Sequence, residues 1–112
     1  MDRTAAYVAD MLDAARELVA LADGVEVGAF LADRLRCLAC EKLFINLGEA
    51  AKRIDTARAA SIPGVPWTRV IGLRNILAHG YEEVEHEVLY RTIQQDLPAL
   101  VSSLQEWLAS QG

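Results

Sequence analysis

The residues best suited to chemistry lie between Thr68 and Tyr81. On an ideal helix each residue advances about 100°, so Thr68, Gly72, Asn75 and His79 share one narrow stripe. That stripe is polar or bare, with no long side chain to block access. His79 ends the segment, and exposed carbonyls at a helix C-terminus favour its protonated form. Glu82 and Glu83 follow and add to that bias. An imidazole near its neutral-pH transition suits proton transfer; the same ring is equally suited to capping the last carbonyls. Arg74 carries a planar fork that holds a phosphate through two parallel hydrogen bonds; the alternative is an arginine buried against an acid. Arg74 and His79 are five residues apart, about 140° around a straight helix. Either the last turn distorts, the arginine wraps around, or a second subunit completes the site. Tyr81 follows the expected stop at Gly80. Its hydroxyl is placed to meet substrate, to accept a modification, or to pack on the end of the fold.

The charge distribution agrees with a localised site. The chain carries a net −5, which argues against indiscriminate nucleic-acid binding. Residues 50–81 hold Lys52, Arg53, Arg58, Arg69 and Arg74 against one acid, Asp55, a net +4 that leaves −9 elsewhere. A basic site on an acidic body fits engagement of one short stretch of RNA, with Lys52, Arg53 and Arg69 as candidate backbone contacts. A solvated basic face is the other reading. Cys37 and Cys40 form a C-x-x-C. The redox reading lacks its strand-to-helix context, and His79 and His86 are spaced too widely for a zinc site. The pair is expected to pack as small core residues, so no metal and no cofactor is expected.

The elements that must position these residues are helical. A chain of 112 residues fits one compact domain spanning residues 1–112. Its 53% hydrophobic content is rich for that length and suggests a homodimer. No apolar run approaches the ~20 residues that span a bilayer, and Met1-Asp2-Arg3-Thr4 does not read as a signal peptide; the expected compartment is the cytoplasm. Periodicity predicts four helices. The first runs from Thr4 to Ala22, with Val8, Met11, Leu12, Ala15, Leu18 and Val19 as its apolar stripe and Asp23-Gly24 as its stop. The second is expected to run unbroken from Val27 to Ala57, burying Leu31, Leu35, Leu38 and Ile45, widened by Phe44, Leu47, Ala51 and Ile54. Gly48 inside it costs about 1 kcal/mol against Ala, which implies close approach by another helix. After the Ser61–Pro66 loop, a third helix should run from Pro66 to His79, and a fourth from Glu85 to Ser110, kinked at Pro98. Short connections imply an antiparallel, up-and-down four-helix bundle.

With those elements in place, the chain resembles a known family. Arg74-x(4)-His79-Gly80-Tyr81 is similar to the R-x(4)-H-x-Y motif of HEPN-type toxins. Gly48-Glu49-Ala50-Ala51-Lys52-Arg53 resembles a G-E-A-A-x-R segment, Ile62-Pro63 through Pro66-Trp67 the entry to the motif helix, and Asp96-Leu97-Pro98 a D-L-P in the last helix. The likeness spans about residues 40–108 and identifies the chain as similar to HepT-like ribonucleases. It departs at Gly80, where a larger or acidic residue is common, and in residues 41–46, which lack an expected arginine.

The resemblance implies an all-α, HEPN-like fold and a metal-independent ribonuclease toxin of a type VII toxin–antitoxin system. It implies a homodimer whose motif helices line one cleft. Arg74, His79 and Asn75 would be catalytic. An MntA-like nucleotidyltransferase antitoxin would neutralise the toxin by AMPylation of Tyr81. Two other readings stand beside it: a non-catalytic HEPN module that binds nucleotide or scaffolds a nucleotidyltransferase, and a helical dimer with no nucleic-acid role.

Overall fold

The structure, a computed structural model, describes residues 2–79 and 85–111. Among these the chain forms α1 (Thr4–Ala22), α2 (Val27–Ala32), α3 (Arg34–Arg53), α4 (Thr56–Ala59), α5 (Trp67–His79), α6 (His86–Gln95) and α7 (Leu97–Gln111), with no strand. The fold is all-α, as expected.

The first helix forms as its periodicity predicts. Val8, Met11, Leu12, Ala15 and Leu18 are buried, and Gly24 takes φ 70° just after the helix, where a Cβ would be strained. The Asp2 carboxylate accepts from the Thr4 amide at 2.9 Å and the Thr4 hydroxyl at 2.6 Å. Those bonds, with Arg58 at 2.7 Å, hold the Asp2 carboxyl below its usual range and tie α4 to the start of α1.

The long second helix is not continuous. Asp33 adopts an extended conformation and its carboxylate accepts from the Arg36 amide at 3.1 Å, so it closes α2 and caps α3. Ile54 is extended as well, and Asp55 caps α4 through the Ala57 amide. A carboxylate that can cap competes with helix continuation. The buried face of α3 also differs from the expected one. Cys37, Cys40, Phe44, Leu47 and Ala51 form the core stripe, whereas Leu35 is 79% exposed and Leu31 and Leu38 are exposed too. Helix α3 carries two apolar stripes, and the one through Leu35 and Leu38 faces outward while the one through Cys37, Cys40 and Phe44 is buried. Cys37 and Cys40 are core residues, and burial pushes the Cys40 thiol up to about 12.

The last helix breaks at Asp96 rather than bending at Pro98. Pro98 becomes the second residue of α7, where a missing N–H is harmless, and the break removes the clash its ring would make with the Gln94 carbonyl.

Helix α1 packs on α3 and on α7, and α5 packs chiefly on α3. Phe30 and Tyr90 meet edge-to-face at 5.1 Å, and the Tyr90 hydroxyl donates to the Val25 carbonyl, closing the α2–α6 end. The molecule measures 43 × 31 × 19 Å, so it is about two helix diameters thick at its thinnest. Helix α5 has no buried residue. No helix among the described residues is long and apolar enough to cross a membrane.

Candidate active site

The site is built on the contact between α3 and α5. Gly48 of α3 lies against Arg74 and Val70 of α5 while Ile54, just past the end of α3, shares a groove with Trp67 at the start of α5, so the two helices run antiparallel. A Cβ at Gly48 would lie 2.1 Å from the Arg74 Cβ and 3.1 Å from the Val70 carbonyl oxygen. The interior glycine read from the sequence is therefore explained by its partner helix. The residue it admits is Arg74.

Arg74 is anchored along most of its length. Its side chain is 20% exposed, and one terminal nitrogen lies 3.7 Å from a Glu49 oxygen. The other terminal nitrogen donates to the Asn75 side-chain oxygen at 3.0 Å. The Arg74 Nε is buried without a hydrogen-bond partner. Glu49 is 39% exposed, and at 3.7 Å it steers the guanidinium mainly by charge. Both readings of the arginine thus have a physical basis here: an acid does face it, yet a fifth of its side chain remains exposed.

Asn75 lies beside Arg74 and faces the other way along α5. With Thr68, Gly72 and Trp67 it lines a groove of about 580 Å³, whose opposite wall is Ile54 and the short helix α4. Three members of the polar stripe, Thr68, Gly72 and Asn75, therefore face one space. His79 is the last residue of α5 and is exposed. Tyr81 lies outside the described residues, as do Gly80, Glu82 and Glu83.

The remaining candidate residues fan out around α5. Lys52 is exposed in the last turn of α3, one turn beyond Gly48. Arg53 lines a different groove, whose walls include Asp10, Asp13, Glu17 and Glu49. Arg69 reaches Asp96 at 3.3 Å, on the α6–α7 side of α5. Arg58 is tied to Asp2. His86 meets Glu41 at 2.6 Å and joins α3 to α6. Sequence reasoning did not single out Glu49 as the partner of Arg74. The available signal was an acid next to a helical glycine that had to face another helix. Nor did it find Trp67 and α4 as walls of the groove, because α4 was read as the tail of a longer helix.

The sequence matches known proteins along nearly the whole chain. Residues 11–107 match the family model described as Ribonuclease HepT-like. A provisionally named RNase of Methanocaldococcus jannaschii is 26% identical over 95 residues, covering 85% of this chain and 87% of that protein. A protein of Thermococcus cleftensis provisionally named ribonuclease HepT is 32% identical over 71 residues, 63% of this chain and 64% of its own length. A provisionally named RNase of Caldanaerobacter subterraneus is 26% identical over 102 residues, 91% of each chain. No solved structure matches. With an all-helical fold, an arginine seated between α3 and α5 and a family match over residues 11–107, the chain belongs to the HepT-like ribonuclease family.

Proposed function

We propose that the protein is a metal-independent endoribonuclease acting in the cytoplasm as the toxin of a type VII toxin–antitoxin pair. The observation that carries this reading is Arg74, seated between α3 and α5 beside Asn75 with a fifth of its side chain exposed. In the proposed reaction the 2′-hydroxyl of the RNA attacks the adjacent phosphorus and the 5′-oxygen departs, leaving a cyclic phosphate. His79 takes the proton of the attacking hydroxyl or supplies one to the leaving oxygen. Arg74 balances the charge that builds on the phosphorane oxygens, and Asn75 orients the phosphate. An internal nucleophile makes the reaction specific to RNA.

The five-residue spacing separates Arg74 and His79 around α5, and a homodimer that apposes two α5 helices would supply both groups to one cleft. The lack of any buried residue on α5, and the 38% exposure of Ile76, favour such a partner. Lys52, Arg53 and Arg69 would contact flanking phosphates. An MntA-like nucleotidyltransferase would transfer AMP to Tyr81, adding bulk and negative charge beside a basic site.

The test is cleavage of RNA by the purified protein in the presence of a chelator, against Arg74→Ala and His79→Ala. Loss of cleavage in both variants is expected. Equal cleavage by His79→Ala overturns the mechanism. Intact mass after co-expression with the nucleotidyltransferase should show AMP increments that Tyr81→Phe abolishes. The reading as a non-catalytic module rests on the approach of Glu49 to Arg74. It requires a purified wild-type protein that cuts no RNA while still binding nucleotide or the nucleotidyltransferase.

A further inference from the structure

Two glycines interrupt the helices of this site, and only one is accounted for by the fold. Gly48 admits Arg74, whereas a Cβ added at Gly72 would meet nothing within 4 Å. An interior helical glycine is costly against alanine, and packing within this chain gives no reason for it. Gly72 borders the groove of about 580 Å³ between α5, the end of α3 and α4. That size falls within the range of small-molecule and nucleotide sites.

The composition of the groove is specific. Its walls are mainly apolar, with Ile54, Ile71 and the Trp67 side chain supplying flat surface. Its polar groups are few: the Thr56 and Thr68 hydroxyls and the Asn75 amide, the last bonded to Arg74. A flat apolar slot with a few hydrogen-bonding groups suits a nucleobase, whose face stacks while its edge pairs. The charge around it also suits RNA. No carboxylate lines the groove; exposed Lys52 follows the lining residue Ala51, and Arg74, drawn toward Glu49, precedes the lining residue Asn75, while Arg58 is paired with Asp2. Asp55 stands nearby, engaged as the cap of α4. The groove on the other flank of α3 is lined instead by Asp10, Asp13, Glu17 and Glu49.

We infer that the α3–α4–α5 groove is a subsite for a nucleobase of single-stranded RNA, next to the phosphate held by Arg74. The inference rests on the ribonuclease reading and adds to it a place for the base. Asn75 joins the two parts, because it lines the groove and holds the arginine. The open surface over Gly72 lets the strand cross α5 closely.

The test uses the full chain with Trp107→Phe, which leaves Trp67 as the only one of the two tryptophans. The probe is a 2′-O-methyl single-stranded hexanucleotide, which lacks the attacking hydroxyl and stays intact. Saturable quenching of Trp67 emission is expected. Gly72→Leu should weaken binding of the probe by about tenfold or more, the scale of one lost base stack. Ala60→Leu narrows the same groove from the end of α4 and should act in the same direction, which guards against a folding defect in the first variant. Normal binding by both folded variants, with no change in Trp67 emission, overturns the inference and leaves the ribonuclease reading intact, provided that Arg74→Ala still loses cleavage. Dissociation of a dimer by both variants, with probe affinity unchanged, assigns the groove to a second copy of the chain and likewise overturns it. A wild-type protein that neither binds nor cuts RNA refutes both readings.

Discussion

Gly48→Ala is the perturbation that tests most directly how the scaffold controls the site. The new Cβ would sit 2.1 Å from the Arg74 Cβ, 2.8 Å from its Cγ and 3.1 Å from the Val70 carbonyl oxygen. Carbon atoms in good contact stand about 3.5–4.0 Å apart, so α3 and α5 must separate by roughly 1.5 Å or tilt. Two of the three opposing atoms are a Cβ and a backbone oxygen, which cannot swing aside as a flexible side-chain end would. Overpacking of this kind costs ~1–3 kcal/mol, while replacing a helical glycine by alanine returns about 1 kcal/mol. The net loss in stability is therefore on the order of 0–2 kcal/mol. The loss in catalysis should be larger, because the displaced atom belongs to Arg74: a misplacement of about 1 Å can cost on the order of 100-fold. Single-turnover cleavage of RNA, paired with urea unfolding, measures both quantities. Gly72→Ala is the control for stability alone, since its Cβ meets nothing within 4 Å and should stabilise by roughly 0.5–1 kcal/mol. A Gly48→Ala protein that gains the same stability as the control and cleaves at the wild-type rate would falsify the proposed contact.

Other perturbations address the frame around the site. Cys37 and Cys40 are buried, and burial raises both thiols, Cys40 to about 12. At pH 8 the native protein should resist iodoacetamide, with both thiols labelled only after unfolding; rapid native labelling at Cys40 refutes its placement. The raised Cys40 value also carries a pH dependence. Its contribution to stability is complete below the ordinary thiol value near 9.0 and is lost as pH climbs from there toward 12; Cys40→Ala should flatten the alkaline limb of a stability-versus-pH curve. For Asp2 the sign is opposite. Its lowered carboxyl favours the fold above the ordinary value and loses that effect as pH falls, so Asp2→Asn should reduce the acid sensitivity of unfolding. Tyr90→Phe removes the hydroxyl that donates to the Val25 carbonyl and should cost roughly 0.5–1.5 kcal/mol in urea unfolding.

Much of this was legible in the sequence, and the helix boundaries that were misread share a cause. Helix α1 and the segment from the 61–66 loop through α5 follow from apolar spacing and from Pro and Gly punctuation, signals that are local and unambiguous. Gly48 was readable as a close approach because an interior glycine needs a reason. Asp33, Asp55 and Asp96 were read through as ordinary polar positions within longer helices. At each of them the chain leaves the helix, and Asp33 and Asp55 also bond the amides of the next helical turn. Periodicity is blind to this, because a capping aspartate interrupts the hydrogen-bond ladder without breaking the apolar rhythm. The same blindness hid α4, hence the far wall of the groove, whereas Leu35 and Leu38 were misassigned because α3 carries two apolar stripes and periodicity does not say which is buried. The partner of Arg74 lay beyond sequence reasoning for another reason. Glu49 and Arg74 are brought together by the antiparallel crossing of α3 and α5, which no local pattern specifies.

The linear motif therefore divides into parts with different mechanical support. Arg74 is set into the scaffold: its Cβ rests on Gly48, its guanidinium is drawn toward Glu49 and held by Asn75, and four-fifths of its side chain is covered. A guanidinium that is pre-positioned in this way loses little entropy on meeting a phosphate, which is what stabilising a transition state demands. His79 stands at the exposed end of α5, one turn beyond Asn75. In the proposed reaction proton transfer is sensitive to reach, and the end of a helix leaves a side chain open to substrate. Asn75 connects the two parts, since it shares the stripe of His79 and bonds to Arg74. The contact of Gly48 with Arg74 and the Val70 carbonyl thus fixes how closely α5 lies on α3 at the arginine.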